Sequence, residues 1–209
     1  MRLVLASNNA KKLSELQALL SPLDLRLVTQ GSLGIEEIDE PHATFIENAL
    51  RKARHAASAS GGAALADDSG LCVDALGGAP GVASAHFAPL DDRPGDREAH
   101  RRAQDAANNA LLLARLQGRI DRDAHFVCTL VALRAADDPA PLVAVGRWQG
   151  EILDAPRGEG GFGYDPLLFI PGLGRTVAEL DAVAKNGVSH RASAMRQLLG
   201  LMREHWRLR

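Results

Sequence analysis

Two carboxylates stand side by side at Asp67 and Asp68, directly after the short apolar run 63–66. The run predicts a strand that ends at these aspartates, and consecutive strand residues point to opposite faces, so one aspartate is enough to line a given site. Such a carboxylate can hold a divalent cation or accept a proton from water, while its neighbour braces the turn. The alternative is an Asx-type turn that only closes the strand.

A second source of carboxylates lies earlier in the chain. The segment 31–43 is irregular and acidic, with carboxylates at Glu36, Glu37, Asp39 and Glu40. It can supply another oxygen ligand, although a solvated acidic loop is the simpler interpretation for at least three of the four residues.

The chain start combines amides, a hydroxyl and lysines, in the run Ser7, Asn8, Asn9, Ala10, Lys11 and Lys12. The apolar run 3–6 before it predicts a buried strand, and leucines at helical spacing over 13–20 predict a helix that stops before Pro22. A loop from strand to helix directs backbone N–H groups and the positive end of the helix dipole at an anion such as phosphate. The alternative is a plain capped helix start with solvated lysines.

The run 160–166 places Phe162, Gly163, Tyr164 and Asp165 in a glycine-rich loop. Glycines allow close approach of a ligand, and the two aromatic rings can offer a flat face to a nucleobase. The alternative is a loop anchored in the core by its rings. Farther along, Lys185 and the pair His190-Arg191 bring N–H donors to the start of the last predicted helix, where they suit an acceptor oxygen or remain exposed.

The elements that must position these residues alternate between strand and helix. Thr44 and Glu47 form a capping-box pattern that opens a helix, on which Asn48 and Lys52 project together because they lie four residues apart. Further strands are predicted at 25–28 and 167–170, an antiparallel pair at 126–133 and 142–148, and a last helix capped by Ser189. The alternation predicts an α/β fold with a mixed sheet.

Composition narrows the classes of protein. The chain has 209 residues, 46% hydrophobic and 24% charged, with a formal net charge of −2, which signals no general affinity for nucleic acid or an anionic membrane. Its length suits one domain or two small lobes. Neither a signal peptide nor a membrane-spanning segment is predicted, so a cytoplasmic location is expected. Cys72 and Cys128 are predicted to be buried thiols, and the histidines show no zinc spacing.

Taken together, five motifs in order resemble the inosine triphosphate pyrophosphatase family, also called dITP/XTP or non-canonical purine NTP pyrophosphatases. The motifs are the runs 7–12, 44–53, 67–71 with 77–81, 160–166 and 189–191. The resemblance implies a single domain over residues 1–209, with a long mixed sheet flanked by helices, two lobes, an active site in the cleft between them, and a homodimer. The implied reaction is Mg²⁺-dependent hydrolysis of ITP, dITP or XTP to the monophosphate and pyrophosphate.

The resemblance also implies roles for individual residues. Residues 7–12 match the triphosphate loop, with Lys12 as its main cation; Asp68 matches the proton acceptor and metal ligand, Glu40 the other metal-binding acid, and Ser69 a substrate contact. Residues 162–165 match the base-binding loop, with Phe162 stacking, and Lys185, His190 and Arg191 match groups around the purine. Asn48 and Lys52 match positions near the phosphates. Which of Asp67 and Asp68 is the general base stays open.

Two further functions remain open from sequence alone. One is a Maf-type nucleotide pyrophosphatase that acts on modified pyrimidines, and the other is a nucleotide-binding module without catalysis. The loop around Phe162 and the basic helix start speak against the first, and the retained aspartate pair speaks against the second.

Overall fold

The computed structural model describes residues 2–20, 25–90 and 96–208, without the side chains of residues 10, 11 and 97. Pro22, and residues 91–95 of the charged segment 91–102, lie outside these ranges. The strands are β1 (Arg2–Leu5), β2 (Arg26–Thr29), β3 (Ala64–Val73), β4 (Asp123–Leu133), β5 (Leu142–Ile152), β6 (Leu168–Ile170) and β7 (Arg175–Thr176). The helices are α1 (Ala10–Leu20), α2 (Phe45–Ser60), α3 (Arg97–Arg115), α4 (Ala182–Val188) and α5 (His190–Trp206).

The strands form one seven-stranded sheet in the order β2-β1-β3-β4-β5-β6-β7. Strand β1 pairs in parallel with β2 and with β3, whereas β6 pairs antiparallel with β5 and with β7. The sheet is therefore mixed, and the predicted α/β class is confirmed. In the described part of the chain, no helix is long and apolar enough to cross a membrane.

The chain divides into two compact units. Unit 1 comprises Met1–Ser69, Cys128–Arg147 and Val188–Arg209, and unit 2 comprises Gly70–Val127 and Trp148–Gly187. That the two units are the lobes of a single domain stays a prediction.

Unit 1 is built around β1, which is buried on both faces. Leu3 and Leu5 pack in a cluster with leucines of α1 and α5, while Val4, between them, packs against the alanines of α2. Alternation along a strand sends neighbouring side chains to opposite faces, so a short all-apolar run becomes a central parallel strand. Each fully buried leucine contributes about 1.5–3 kcal/mol.

Unit 2 has a separate core. Leu112 of α3 and Leu116, directly after the helix, are fully buried and pack in one cluster with Phe126 of β4 and Trp148 of β5. The part of α3 that precedes them is rich in polar residues, so the helix begins at Arg97 but has leucines only near its end.

Two of the predicted helix starts are confirmed. The Thr44 hydroxyl accepts the Glu47 N–H and donates to the Glu47 carboxylate, which opens α2. The Ser189 hydroxyl accepts the Ala192 N–H and opens α5. Each cap satisfies a backbone N–H that the helix itself cannot pair.

The predicted end of β3 is wrong. The strand does not stop at the aspartate pair but continues through Asp67, Asp68 and Ser69 to Val73. Asp67 and Asp68 are buried, at 1% and 7% exposed, so the Asx-turn alternative is wrong as well. Carboxylates are disfavoured in strands only when nothing compensates their burial, and here cations from other elements compensate both.

Gly146 of β5 allows α5 to lie directly on the strand. A Cβ at this position would lie 2.0 Å from the His190 carbonyl oxygen and 2.6 Å from the Ala194 nitrogen. We expect Gly146→Ala to lower the free energy of unfolding by about 1–3 kcal/mol, because the backbone of α5 would have to move.

Urea unfolding measures this effect, and Gly200→Ala is the matched control. Gly200 also belongs to α5, but a Cβ there meets nothing within 4 Å beyond the helix itself. The control should gain about 0.5–1 kcal/mol from the better helix propensity of alanine. Equal stabilisation by both substitutions would contradict the contact at Gly146.

Candidate active site

Asp67 is the centre of a buried ion cluster in unit 1. Its carboxylate accepts from Lys12 Nζ at 2.6 Å, Arg191 Nε at 2.8 Å, Ser69 Oγ at 2.9 Å and Cys128 Sγ at 3.3 Å. Burial alone would raise the pKa of Asp67, but the charges of Arg191 and Lys12 outweigh it and hold that pKa well below its usual range. A carboxylate that accepts this many hydrogen bonds is a poor proton acceptor. It instead holds the Lys12 and Arg191 side chains in place.

Arg191 completes the buried ion cluster from the start of α5. Its guanidinium donates to Asp67 and, through Nη1, to the carboxylate of Glu15 on α1. Burial opposes its charge, but Asp67 and Glu15 outweigh that effect and raise the pKa of Arg191. The structure therefore places this predicted purine contact on two carboxylates of unit 1, with His190 buried beside it.

Asp68 belongs to a different group, the acidic cluster of Glu40, Lys52 and Asp68. Lys52 Nζ lies 3.0 Å from Asp68 Oδ1 and 2.6 Å from Glu40 Oε2, and it also donates to the Asp67 carbonyl oxygen at 3.0 Å. The two aspartates thus have separate partners, as the alternation of a strand predicts.

The acid–base properties of the two aspartates differ accordingly. Burial raises the pKa of Asp68; Lys52 opposes this and the charge of Glu40 adds to it, so that the pKa reaches about 7. Among the described residues, no N–H or O–H group donates a hydrogen bond to Asp68 Oδ2, although this atom is buried, and the carboxyl group of Glu40 lies within hydrogen-bond reach of the Asp68 side chain. Asp68 therefore has a proton affinity suited to general-base chemistry near neutral pH and an oxygen to carry it out.

Glu40 and Lys52 remain charged around Asp68. Burial opposes the charge of each, but their mutual attraction prevails, with Asp68 also acting on Lys52. The pKa of Glu40 is therefore lowered and that of Lys52 is raised. Lys52 is thus a permanent cation held between two carboxylates.

Helix α2 holds the segment that carries Glu40. The Asn48 side chain accepts the His42 N–H at 3.0 Å and donates to the His42 carbonyl at 3.1 Å, and Arg51 Nε donates to the Asp39 carbonyl at 3.0 Å. Asn48 is buried, at 1% exposed. The structure thus gives Asn48, predicted to lie near the phosphates, contacts that orient the acidic segment.

The acidic cluster has the ligands that Mg²⁺ uses. This ion binds proteins through one or two carboxylates and completes its shell with water and phosphate oxygens. Glu40 and Asp68 provide two carboxylates, and Asp68 Oδ2 has no hydrogen bond from the described residues. Over the described ranges no group of three or more His, Cys, Asp or Glu residues could form a closed metal site, so a metal here would need further ligands from substrate and water.

Residues 7–12 form a capped helix start. Asn9 Oδ1 accepts the Lys12 N–H at 3.2 Å, and Ser7 Oγ accepts the Asn9 N–H at 3.1 Å. The Asn8 N–H donates to the carboxylate of Glu37 at 3.2 Å, so this loop already binds one negatively charged group. The side chains of Ala10 and Lys11 lie outside the described part of the structure.

A second group of predicted residues meets in unit 2. Lys185 Nζ donates to Asp165 Oδ2 at 2.8 Å and lies 4.7 Å from the centre of the Phe162 ring. The Phe162 N–H donates to the same Asp165 oxygen at 3.0 Å, so one carboxylate holds both the ammonium and the backbone of Phe162. A Cβ at Gly161 would lie 2.0 Å from that oxygen. The Asp165 carboxylate can therefore lie this close to the loop backbone only because residue 161 is glycine.

The two aromatic residues of this loop differ. Tyr164 is buried and donates to the Ser84 carbonyl at 2.9 Å, so for Tyr164 the alternative of a core anchor is right. Phe162 is half-buried, with the Lys185 ammonium against one face of its ring, so it is not anchored in the core as Tyr164 is.

The structure therefore brings the predicted residues together in two groups, one in each unit. In unit 1 lie the triphosphate-loop residues, Glu40, Asn48, Lys52, Asp67, Asp68, Ser69, His190 and Arg191. In unit 2 lie Phe162, Gly163, Tyr164, Asp165 and Lys185. The cleft between lobes stays a prediction. Two contacts were not predicted from the sequence: that of Glu15 with Arg191 and that of Cys128 with Asp67. The first had a signal in the sequence, because Glu15 lies one turn after Lys12 on α1.

The fold and the site define an α/β protein with a paired-carboxylate, cation-rich centre of the kind that handles phosphate esters. The sequence profile of the Ham1 family matches residues 3–201, so the chain belongs to the Ham1 family.

Similar proteins cover the whole chain. A dITP/XTP pyrophosphatase of Methylibium petroleiphilum is 71% identical over 99% of both chains, and one of Leptothrix cholodnii is 67% identical over 100% of both. Among solved structures, a HAM1 protein from Coxiella burnetii is 42% identical, with a TM-score of 0.87 over 98% of this chain and 99% of that one.

Proposed function

We propose that the protein hydrolyses non-canonical purine nucleoside triphosphates, namely ITP, dITP and XTP, to the monophosphate and pyrophosphate. The observation that carries this proposal is the pair of adjacent aspartates on β3: Asp67 is saturated by cations, whereas Asp68 has a raised pKa and an oxygen with no hydrogen bond from the described residues. The names of the highly similar relatives support the same activity.

Asp68 acts in this proposal on the attacking water. Its Oδ2 accepts a proton while the water attacks the α-phosphorus, and the bond to the pyrophosphate oxygen breaks. Glu40 and Asp68 would hold Mg²⁺, which when bound neutralises phosphate charge and polarises the phosphorus. Phosphoryl transfer needs little covalent help from a protein, so positioning and charge compensation dominate the catalysis.

Lys12 and the loop 7–12 bind the phosphate tail in this proposal. The Lys12 ammonium is fixed on Asp67 at 2.6 Å, and its charge is available to a second anion because an ammonium has three donors. Backbone N–H groups at the start of α1 add further donors, and the contact of Asn8 with Glu37 supports an anion-binding role for the loop.

The group in unit 2 selects the base in this proposal. Phe162 stacks on the purine, and Lys185 donates to the 6-keto oxygen of hypoxanthine or xanthine. Adenine presents a donor at the same position, and such a buried polar mismatch can give about 10⁴-fold discrimination. Arg191 is bound to two carboxylates of unit 1, whereas Lys185 lies against the Phe162 ring, so Lys185 is the stronger candidate for this donor.

A product assay tests the proposed function. With ITP and Mg²⁺ we expect IMP and pyrophosphate in equal amounts, and complete loss of turnover in EDTA. Orthophosphate as the inorganic product would mean attack at the γ-phosphorus and would overturn the proposal. Faster turnover of dUTP or dTTP than of dITP would favour the Maf-type activity, and binding without turnover would favour the non-catalytic module.

We also propose a homodimer that works in the cytoplasm. Light scattering of the purified protein measures the first point and cell fractionation the second. A monomer, or recovery from another compartment, would contradict the respective statement.

A further inference from the structure

Helix α3 holds the predicted base loop at Gly163 by both backbone groups. Asp105 Oδ2 accepts the Gly163 N–H at 2.9 Å, and Asn109 Nδ2 donates to the Gly163 carbonyl at 3.0 Å. Asp105 and Asn109 lie four residues apart on the helix, so they project side by side. A single residue is thus bound at its donor and its acceptor by two side chains of one helical face.

Gly163 occupies a position where such a hold matters. Its φ is +61°, a conformation that favours glycine. It directly follows Phe162, whose N–H and ring are held through Asp165 and Lys185. The backbone that carries the Phe162 ring is therefore held on both sides of the peptide bond to Gly163.

An adjacent row of side chains on α3, that of Gln104 and Asn108, makes different contacts. Asn108 donates to the carbonyl oxygens of Ser84 and Ala85, and Gln104 donates to that of Ala88. These contacts organise residues 84–88, to which Tyr164 is bonded through Ser84. The contacts at Gly163 are thus distinct from those that build the core of unit 2.

We propose that Asp105 and Asn109 are positioning residues for base recognition, which they serve by holding Gly163 and thereby the backbone that carries Phe162, whose ring lies against the Lys185 ammonium. This inference rests on the proposed function and extends it to two residues that sequence reasoning missed. Neither residue is assigned a contact with substrate.

The test compares Asn109→Ala and Asp105→Ala with wild type in steady-state hydrolysis of ITP. Each variant should raise KM for ITP about tenfold, the effect of one lost hydrogen bond together with a loosened ring, while kcat changes less than about twofold. Inhibition by IMP should weaken to the same extent, and inhibition by pyrophosphate should not change. A merely structural role would not separate these two inhibitors.

Matched variants sharpen the test. Asp105→Asn keeps an acceptor for the Gly163 N–H and should retain a near-normal KM, whereas Asn109→Asp places a carboxylate against a carbonyl oxygen and should resemble Asn109→Ala. Phe162→Leu removes the ring itself and should raise KM for ITP by at least as much. Arg102→Ala, on an exposed part of α3, is the neutral control.

The possible failures are distinguishable. If wild type does not hydrolyse ITP to IMP and pyrophosphate, the proposed function fails. If wild type does so but both alanine variants keep KM within twofold, the inference is overturned. It is equally overturned if inhibition by IMP and by pyrophosphate weakens in parallel. Should Asp105→Ala not fold, Asn109→Ala and the comparison of Asp105→Asn with Asn109→Asp still decide.

Discussion

Asp68→Asn lowers kcat for ITP by about 10³-fold or more, the loss expected when a general base and a metal ligand are removed together. Asparagine keeps the shape of the side chain and its hydrogen bond to Lys52, but it can neither accept the proton of water nor supply a second charge for a metal. Steady-state rates of pyrophosphate release from ITP measure the change in kcat. Asp74→Asn, at an exposed aspartate just beyond β3, should be unchanged.

A loss of activity in Asp68→Asn must be distinguished from unfolding. The shifted pKa of Asp68 sets the direction in which the stability of wild type changes with pH relative to the variant. The pKa of Asp68 is about 7 in the folded protein against an ordinary 3.8. Its contribution to stability is therefore fully present below pH 3.8 and is lost as the pH rises through 7. Asparagine does not titrate, so in EDTA the melting temperature of the variant relative to wild type should rise between pH 5 and pH 8. A kcat within tenfold of wild type would reject Asp68 as the base.

Arg191→Met destabilises the protein by about 3–5 kcal/mol, because it leaves two carboxylates without their shared cation. Asp67 has a side chain that is 0% exposed, so it cannot recover its charge stabilisation from water. The contribution of Asp67 is present above its ordinary pKa of 3.8 and is lost as the pH falls below that value. Urea unfolding at pH 7.5 measures the loss, and the difference between variant and wild type should shrink below pH 3.8.

A double-mutant cycle with Asp67→Asn tests the coupling. Removing both charges should cost less than the sum of the two single losses, since neither partner is then left buried and unpaired. Arg102→Met is the matched control at an exposed pair: Arg102 Nη1 lies 3.9 Å from Glu98 Oε1, with side chains 67% and 45% exposed, and the loss should stay within about 1 kcal/mol. A loss that small at Arg191 would contradict its role in the buried ion cluster.

Local sequence patterns predicted most of the elements and placed the reactive residues on them. The strand before the aspartates, the cap at Thr44 and the helix from Ser189 are each set by residues within a few positions, and local patterns report such features well. The end of β3 was predicted wrongly, since only the cations of α1, α2 and α5 make carboxylates tolerable inside a strand. The short helix α4 was missed; seven residues provide too few repeats for a periodicity.

The site was predictable in its residue types but not in its pairings. The alternation of side chains along a strand predicted that Asp67 and Asp68 have different surroundings. The sequence left open which of them is the base. The difference comes from long-range partners: Arg191 is 124 positions from Asp67, and Lys52 is 16 positions from Asp68. The same reason hid Asp105 and Asn109, whose target at Gly163 is more than 50 positions away.

The alternation along β3 has a consequence for how this segment can change. A deletion of one residue between Ala64 and Asp67 would shift the following side chains to the other face of the strand. Asp68 would then take the place of Asp67 beside Arg191, and Asp67 would take the place of the fully buried Ala66. The length of this stretch therefore decides which aspartate meets which cation, so we expect it to tolerate no deletion of a single residue.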